Sequence, residues 1–515
     1  MGEGLVRGQS GNRRPTWRLK TRDDARTQGI VVSGFGDVPW AEALFLHADQ
    51  PGAGWISHLR AEAPITDAAG KEKQARAAAL AFTCTGLAKL GLPGPVLGTF
   101  SAPFREGMYQ EDRLRRLGDK LDGIWQATVI DGGPVWGGPT LTPVGRPDTP
   151  EVHALLLLYD SSQKAARSWA EDVKRTLAQP TLVPFDVTVV RQLSLDLRLD
   201  ANGIGREHFG FADGLSQPIP YGEAVVLSDG RPSERDPWHG VPLGEILLGH
   251  NNAHHERAPG PMVEDDPAGR ERGLDAIGAP QGFLNLGLNG SYMVVRELRQ
   301  DVAAFWKSVD DGAARIKAQD PGAIEVTAQW LAERIVGRNT DGHLLCPGGF
   351  LPADENNQPQ NAFGFIGTDP YGDGCPLGSH VRRANPRDGL APDPAAAQTL
   401  LDAANNHRIL RRGRKYGATI QDPRVDDGQE RGLLFICLNT DIERQFEFVQ
   451  KTWILNQNFA TLFDETDPLV GPKGHFTIPQ QPLRRIVEVE TFIRMAGGEY
   501  FFLPSIPALN YLAAL

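Results

Sequence analysis

Apolar positions along the chain follow two rhythms that alternate. Residues 153–159 carry an almost unbroken leucine run, the pattern of a strand buried on both faces. Asp160, Ser161 and Ser162 come next and offer a helix cap. Ala166, Trp169, Val173 and Leu177 then mark one face of a helix. Beyond Pro184 the period drops towards two through Phe185, Val187, Val189, Leu193, Leu195, Leu197 and Leu199, which predicts a half-buried strand or hairpin. Earlier in the chain, residues 29–36 and 43–47 read as short strands. The alanine-rich stretch 73–90 reads as a helix closed by Gly91 and Pro93. Residues 93–150 are rich in Gly and Pro and predict loops.

The second half repeats this grammar. Residues 291–298 predict a strand, and Asp301 opens a helix running to Val309. Residues 432–439 predict a strand through Leu433, Leu434, Phe435 and Ile436. Thr440-Asp-Ile-Glu443 has the form of a capping box. It precedes a helix face of Ile442, Phe446, Val449 and Trp453. Near the end, residues 489–496 and 499–503 flank Gly497-Gly498, a hairpin signal. Strand, helix and strand in each half imply a duplicated α+β unit, an antiparallel sheet with helices on one face. Between the halves, residues 220–279 are polar and read as a long insertion. His250, His254 and His255 lie there near Glu256; a metal site competes with the commoner reading, a solvated loop with chance histidines.

Composition narrows the possibilities. A chain of 515 residues exceeds one compact core and should divide into two or more domains. We expect an arm at 1–27, disordered, then a first domain at 28–219, the insertion at 220–279 and a second domain at 280–515. A net charge of −11 argues against nucleic acid as the main partner. Apolar runs such as 154–159 are far too short to span a bilayer. Arg13-Arg14 near the start is not followed by an apolar run, so no export signal is visible and a cytoplasmic site is expected. Cys84, Cys346, Cys375 and Cys437 are scattered, which leaves no CxxC metal site.

Three short segments concentrate chemistry. Gly374-Cys-Pro-Leu-Gly-Ser-His380-Val-Arg-Arg-Ala-Asn385-Pro-Arg387 sets a histidine among guanidiniums, and Pro386 turns Asn385 extended. Neutral imidazole suits iron, and guanidiniums suit carboxylates, a combination that haem presents. A hydrogen-bonded structural histidine is the commoner alternative. Gly210-Phe-Ala-Asp213-Gly214 holds a carboxylate between glycines, where a ligand can approach or where an Asp-Gly turn can form. His407-Arg-Ile-Leu-Arg411-Arg412-Gly413-Arg-Lys-Tyr416-Gly417 is an arginine cluster in which apolar neighbours favour one guanidinium turning inward, towards an anion.

Together these segments resemble the dye-decolorizing peroxidase family. GFADG at 210–214 is similar to its GxxDG motif, HVRRANPR at 380–387 to its proximal-histidine segment and RRGRKYG at 411–417 to its distal-arginine segment, in the same order. QGIVVSGFG, LAFTCTGLAKLGLP, NGSYMVVREL, VGRNTDGHLL and ERGLLFICLNTDIERQFEFVQKTWI extend the likeness from about residue 28 to the end. The resemblance implies two ferredoxin-like α+β domains of the dimeric α+β barrel-like superfamily. It also implies one haem b, with His380 as axial iron ligand, Asp213 and Arg411 as catalytic pair, and Asn385 and Arg387 around the cofactor. Arg382, Arg383 and Arg412 are expected to be structural or at the surface. Leu433 and Phe435 would form the apolar wall, and Asp467 would orient His380.

The activity implied is oxidation of phenolic or dye-like donors by hydrogen peroxide in one-electron steps, by a monomer or homodimer. The alternative is a haem carrier, sensor or iron-release protein on the same fold. A carboxylate base, ordinarily titrating near ~3.9 against ~6.5 for histidine, predicts peroxide activation with an acidic optimum.

Overall fold

A computed structural model describes residues 21–69, 75–138, 149–182, 185–221, 238–354, 358–479 and 484–515. Four strands of the first half, β1 (Trp40–Ala48), β2 (Arg76–Phe82), β3 (Ala154–Asp160) and β4 (Val187–Asp196), pair antiparallel in the order β2-β3-β1-β4. The second half gives β5 (Ser291–Gln300), β6 (Leu410–Arg411), β7 (Arg414–Tyr416), β8 (Gly432–Asn439) and β9 (Ile493–Leu503). Their order is β9-β5-β8-β7, with β6 also on β8. Each half therefore has the strand order of a ferredoxin-like unit.

The two sheets close on one another. β9 meets β2 at Phe502 and Phe82, and β7 meets β4 through Lys415–Asp196 and Tyr416–Leu195. A closed ring hides the sheet edges that either half alone would expose. Side chains from alternate positions fill the inside: Ala43, Phe45, Leu155, Leu157, Leu193, Met293, Val295, Leu434 and Ile436 belong to one buried cluster. Outside, α1 (Gly54–Glu62) and α2 (Gln163–Leu177) cover the first sheet through Trp55, Ile56, Leu59, Trp169 and Val173. Ser162 caps α2 by accepting from Ala165 N. α3 (Val302–Gln319) and α4 (Ala328–Val336) form their own core with Phe209 and Phe211. No helix among the described residues is long and apolar enough to cross a membrane.

Four sequence expectations fail, each for a tertiary reason. The alanine run in 73–90 is the strand β2 followed by a short helix, Cys84–Lys89; residues 73 and 74 lie outside the described ones. Ala77, Ala79 and Ala81 face the ring interior and Ala78 and Leu80 the outer core, so burial on both faces overrides helix propensity. Residues 29–36 are not a strand: after a helical turn, Gly29–Val31, the carbonyls of Ile30, Val31, Gly34 and Phe35 accept from the Arg412 and Arg414 guanidiniums. Gly497-Gly498 is no hairpin, because β9 runs straight through it with a bulge opposite Glu297 and Leu298. A Cβ at Gly497 would lie 2.3 Å from the Trp136 indole nitrogen, so these glycines serve close approach. Glu443 does not complete a capping box. Gln445 Oε1 accepts from Thr440 N and Asp441 N instead, at the start of a wide helix over 443–454 whose bonds span five residues, as in Glu447 N to Ile442 O.

The insertion has local order where it is described. Ile219–Tyr221 pairs parallel with Gly240–Pro242, and Met262–Glu264 pairs with Phe283–Asn285; residues 222–237 lie outside the described ones. At the front of the chain, residues 1–20 also lie outside, while Thr27 and Gln28 are buried.

Candidate active site

Asp213 stands on a loop whose backbone is fixed by its own side chains. Glu207 accepts from Phe209 N and Phe211 N, both at 2.8 Å, and Gln300 Nε2 reaches it at 2.7 Å. Burial pushes the Glu207 carboxyl up to about 7. Phe209 and Phe211 anchor the loop in the α3–α4 core, and Arg206 binds Gly210 O, Thr340 O and Asp341. Gly210 (φ 99°) and Gly214 (φ 76°) take left-handed backbone on either side of the carboxylate. His208 of the same loop turns away to Tyr416 O at 2.8 Å, and burial lowers it to about 4.

Arg411 lies on β6 directly opposite Cys437 of β8. That register puts it on the face of β8 that also carries Leu433 and Phe435, while Leu434 and Ile436 point into the ring. Leu433 and Phe435 are only half-buried in a strand whose other residues are buried, so this face borders open space. Arg411 Nη1 lies 3.8 Å from Asp213 Oδ1, and its Nη2 donates to Leu215 O at 2.6 Å. The side chains keep 36% and 43% of their surface exposed.

His380 opens α5 (His380–Ala384), whose preceding Ser379 is tied to Arg334 O. Its Nδ1 lies 2.9 Å from Oδ2 of the fully buried Asp467. Asp467 Oδ1 accepts in turn from Leu469 N and Val470 N. Arg383, buried beneath, donates to Trp453 O, Asn456 O and Glu465 O and so fixes the segment leading to Asp467. Burial alone would lower the imidazole, but Asp467 outweighs it and holds His380 above its ordinary value; Asp467 is held below its own by the same contact, against burial. The charges of Arg411 and Asp213 also reach His380. Nε2 of His380 has no partner among the described residues, and 28% of the side chain is open although the ring lies deep in the molecule.

The residues after α5 tie the two segments together. Arg387, in left-handed backbone (φ 53°) and buried, donates to Phe363 O at 2.7 Å and to Ser216 Oγ at 2.9 Å, its guanidinium 3.7 Å from the centre of the Phe363 ring. Asn385 Oδ1 is buried without a hydrogen-bond partner. Arg382 is a structural cation against Asp369 and Phe365, and Arg412 binds the 30–31 backbone.

One residue escaped sequence reasoning. Arg338, just after the left-handed Gly337, is buried and donates to Gly342 O at 2.6 Å and Asn361 Oδ1 at 2.9 Å, both neutral. Burial lowers it to about 10, and the charge of Arg411 adds to that. Its signal in the sequence was an arginine following the C-terminal glycine of a helix. Among the histidines of the insertion, His250 bonds Asn289 Oδ1, and no metal-holding cluster occurs among the described residues.

No protein-family model matches the chain. It is 30% identical over 390 residues to a multifunctional dye peroxidase of Amycolatopsis sp., covering 70% of this chain and 71% of that protein. The solved fungal DyP-type peroxidase of Auricularia auricula-judae superposes with a TM-score of 0.70 at 22% identity, covering 96% of this chain and 99% of that one. A dye-decolorizing peroxidase solved with 2,6-dimethoxyphenol superposes with a TM-score of 0.66 at 25% identity, covering 96% and 99%.

Proposed function

Because this chain belongs to the dye-decolorizing peroxidase family, we propose that Asp213 and Arg411 activate hydrogen peroxide opposite an iron ligand at His380. The chain is a haem peroxidase acting on dye-like substrates, as its relatives are. A carrier or iron-release protein without turnover is not favoured, since carriage has no use for the Asp213–Arg411 pair. The observation that carries the assignment of roles is the meeting of Asp213 and Arg411, 198 positions apart in sequence (411 − 213), at 3.8 Å on a face whose charges reach His380.

The residues present fit haem. Nε2 of His380 is uncommitted among the described residues, and Arg338 is a buried cation with neutral partners that a propionate would satisfy. The cysteines are separate from any Cys-x-x-Cys-His motif, which favours haem b without covalent attachment, one for the single His380. Bound there, haem supplies the redox iron that peroxide oxidises and the organic donor reduces.

Asp213 takes a proton from one peroxide oxygen and returns it to the other, so that water can leave. Arg411 stabilises the negative charge developing on the departing oxygen, a contribution of about 3 kcal/mol for a fixed cation in a dry site. Asp467 holds the Nδ1 proton of His380, which keeps the Nε2 lone pair for iron and raises its basicity. Arg387 and Arg338 would offer donors to the propionates, as would the amide N–H of Asn385. Leu433 and Phe435 keep water from the reacting side. The same reading divides the chain at 28–219, 220–279 and 280–515, with Asp213 from the first domain and His380 and Arg411 from the last. His380→Ala tests it: the Soret band of purified protein should be lost or shifted, and an unchanged spectrum would refute the ligand assignment.

A further inference from the structure

A second cavity lies beyond the Phe363 ring on which Arg387 stacks. Its volume is about 340 Å³, at the small end of ligand pockets and sufficient for one substituted aromatic ring. Phe363, Phe365, Leu344 and Leu351 supply apolar walls, and none of His380, Asp213 or Arg411 lines it. One polar group there is unusual. Asp388 is only 6% exposed, yet it is part of the cavity wall. Its Oδ1 accepts from Phe365 N at 2.6 Å, while Oδ2 has no hydrogen-bond partner among the described residues. A carboxylate oxygen open to a largely apolar cavity has as its natural complement a ligand that brings a donor.

We infer that this cavity is a binding site for a phenolic reductant, the ring between Phe363 and the leucines and the hydroxyl donating to Asp388 Oδ2. A phenol matches both halves of the site: an aromatic face for the apolar walls, and an O–H donor for the open carboxylate oxygen. The site stands close to the machinery. Phe363 contacts Arg387 through both its ring and its carbonyl, and Arg387 in turn holds Ser216, three residues after Asp213. On oxidation the phenol loses one electron to the peroxide-oxidised protein and its hydroxyl proton to Asp388 Oδ2, leaving a neutral phenoxyl radical. The inference rests on the peroxidase reading for that step, but the binding does not.

Gly367 provides a clean way to close the cavity. It lines the wall, its φ is not left-handed, and a Cβ there meets nothing within 4 Å. Calorimetric titration of the resting holoenzyme with 2,6-dimethoxyphenol, without peroxide, reads binding directly. Binding should weaken about tenfold in Asp388→Asn, which turns the acceptor into a mixed group, and should be abolished in Gly367→Leu. In turnover, kcat/KM for the phenol should fall with binding, while bleaching of a bulky anionic dye without a phenol group stays at the wild-type rate. Equal affinity in wild type and Gly367→Leu would overturn the site. Failure of the wild type to oxidise any donor with peroxide, with binding intact and lost in Gly367→Leu, would overturn the peroxidase reading while leaving the site standing.

Discussion

The two acid–base pairs around the proposed cofactor site differ in almost every physical respect. His380 and Asp467 meet at 2.9 Å, with the carboxylate fully buried and both of its oxygens occupied. Asp213 and Arg411 stand 3.8 Å apart with 43% and 36% of their surfaces open. A pair anchored by a buried, saturated carboxylate can adopt one arrangement only, which suits a group that must present the same lone pair through every turnover. A loose, partly solvated pair leaves each member a free side, which suits groups that must admit a reactant and exchange a proton with it. Position is guarded on one side, and reactivity is left open on the other.

This contrast can be broken by substitution, starting with the proposed base, Asp213. Asp213→Asn should slow the reaction with peroxide by about a thousandfold, within the range for loss of a general acid–base group. Stopped-flow absorbance reads this rate. Arg411→Leu should slow the same step by about a hundredfold, the effect of deleting one charge-stabilising donor. Asp467→Asn should act differently, weakening haem retention by about tenfold and raising the reduction potential as the imidazole loses basicity. Haem transfer to an acceptor protein and a redox titration measure these.

The smallest effect lies away from both pairs and serves as a control. Glu499 is buried in β9 with Oε1 accepting from Met108 N, and burial pushes its carboxyl up to about 7. In the unfolded chain it titrates near its ordinary 4.5. The folded state therefore binds more protons between these values, and this group's contribution to stability falls as pH rises through that window. Glu499→Gln should raise the melting temperature relative to wild type by a few degrees near neutral pH and by less in acid. His208, lowered to about 4, acts in the opposite sense, so the difference between variant and wild type is the quantity to read. Peroxide kinetics should not follow this curve.

Much of the fold was legible wherever periodicity and burial agree. The alternation of Leu433, Leu434, Phe435 and Ile436 separates a half-buried face from a ring-side face, and Ser162 caps α2 as its position suggests. Misreadings arose where contacts distant in sequence decide local structure. Ala77–Ala81 looks helical until two neighbouring layers bury both its faces, and Gly497 looks like a turn until Trp136 packs on it. Residues 29–36 look like a strand because nothing local reveals that Arg412 and Arg414 will take their carbonyls. Asp213, His380 and Arg411 were singled out through motif resemblance, and the 3.8 Å approach of Asp213 to Arg411 needed coordinates. Arg338 was not found, because a buried arginine is distinguished by its surroundings, not by its neighbours in sequence.

The division of labour between the pairs is tested most directly by one stopped-flow comparison. Asp213→Asn and Asp467→Asn, each fully loaded with haem, are mixed with excess peroxide and the rate of the Soret change is recorded. The account predicts that Asp213→Asn is slower than Asp467→Asn by about a hundredfold or more. Equal rates in the two variants, or a slower Asp467→Asn, would contradict it.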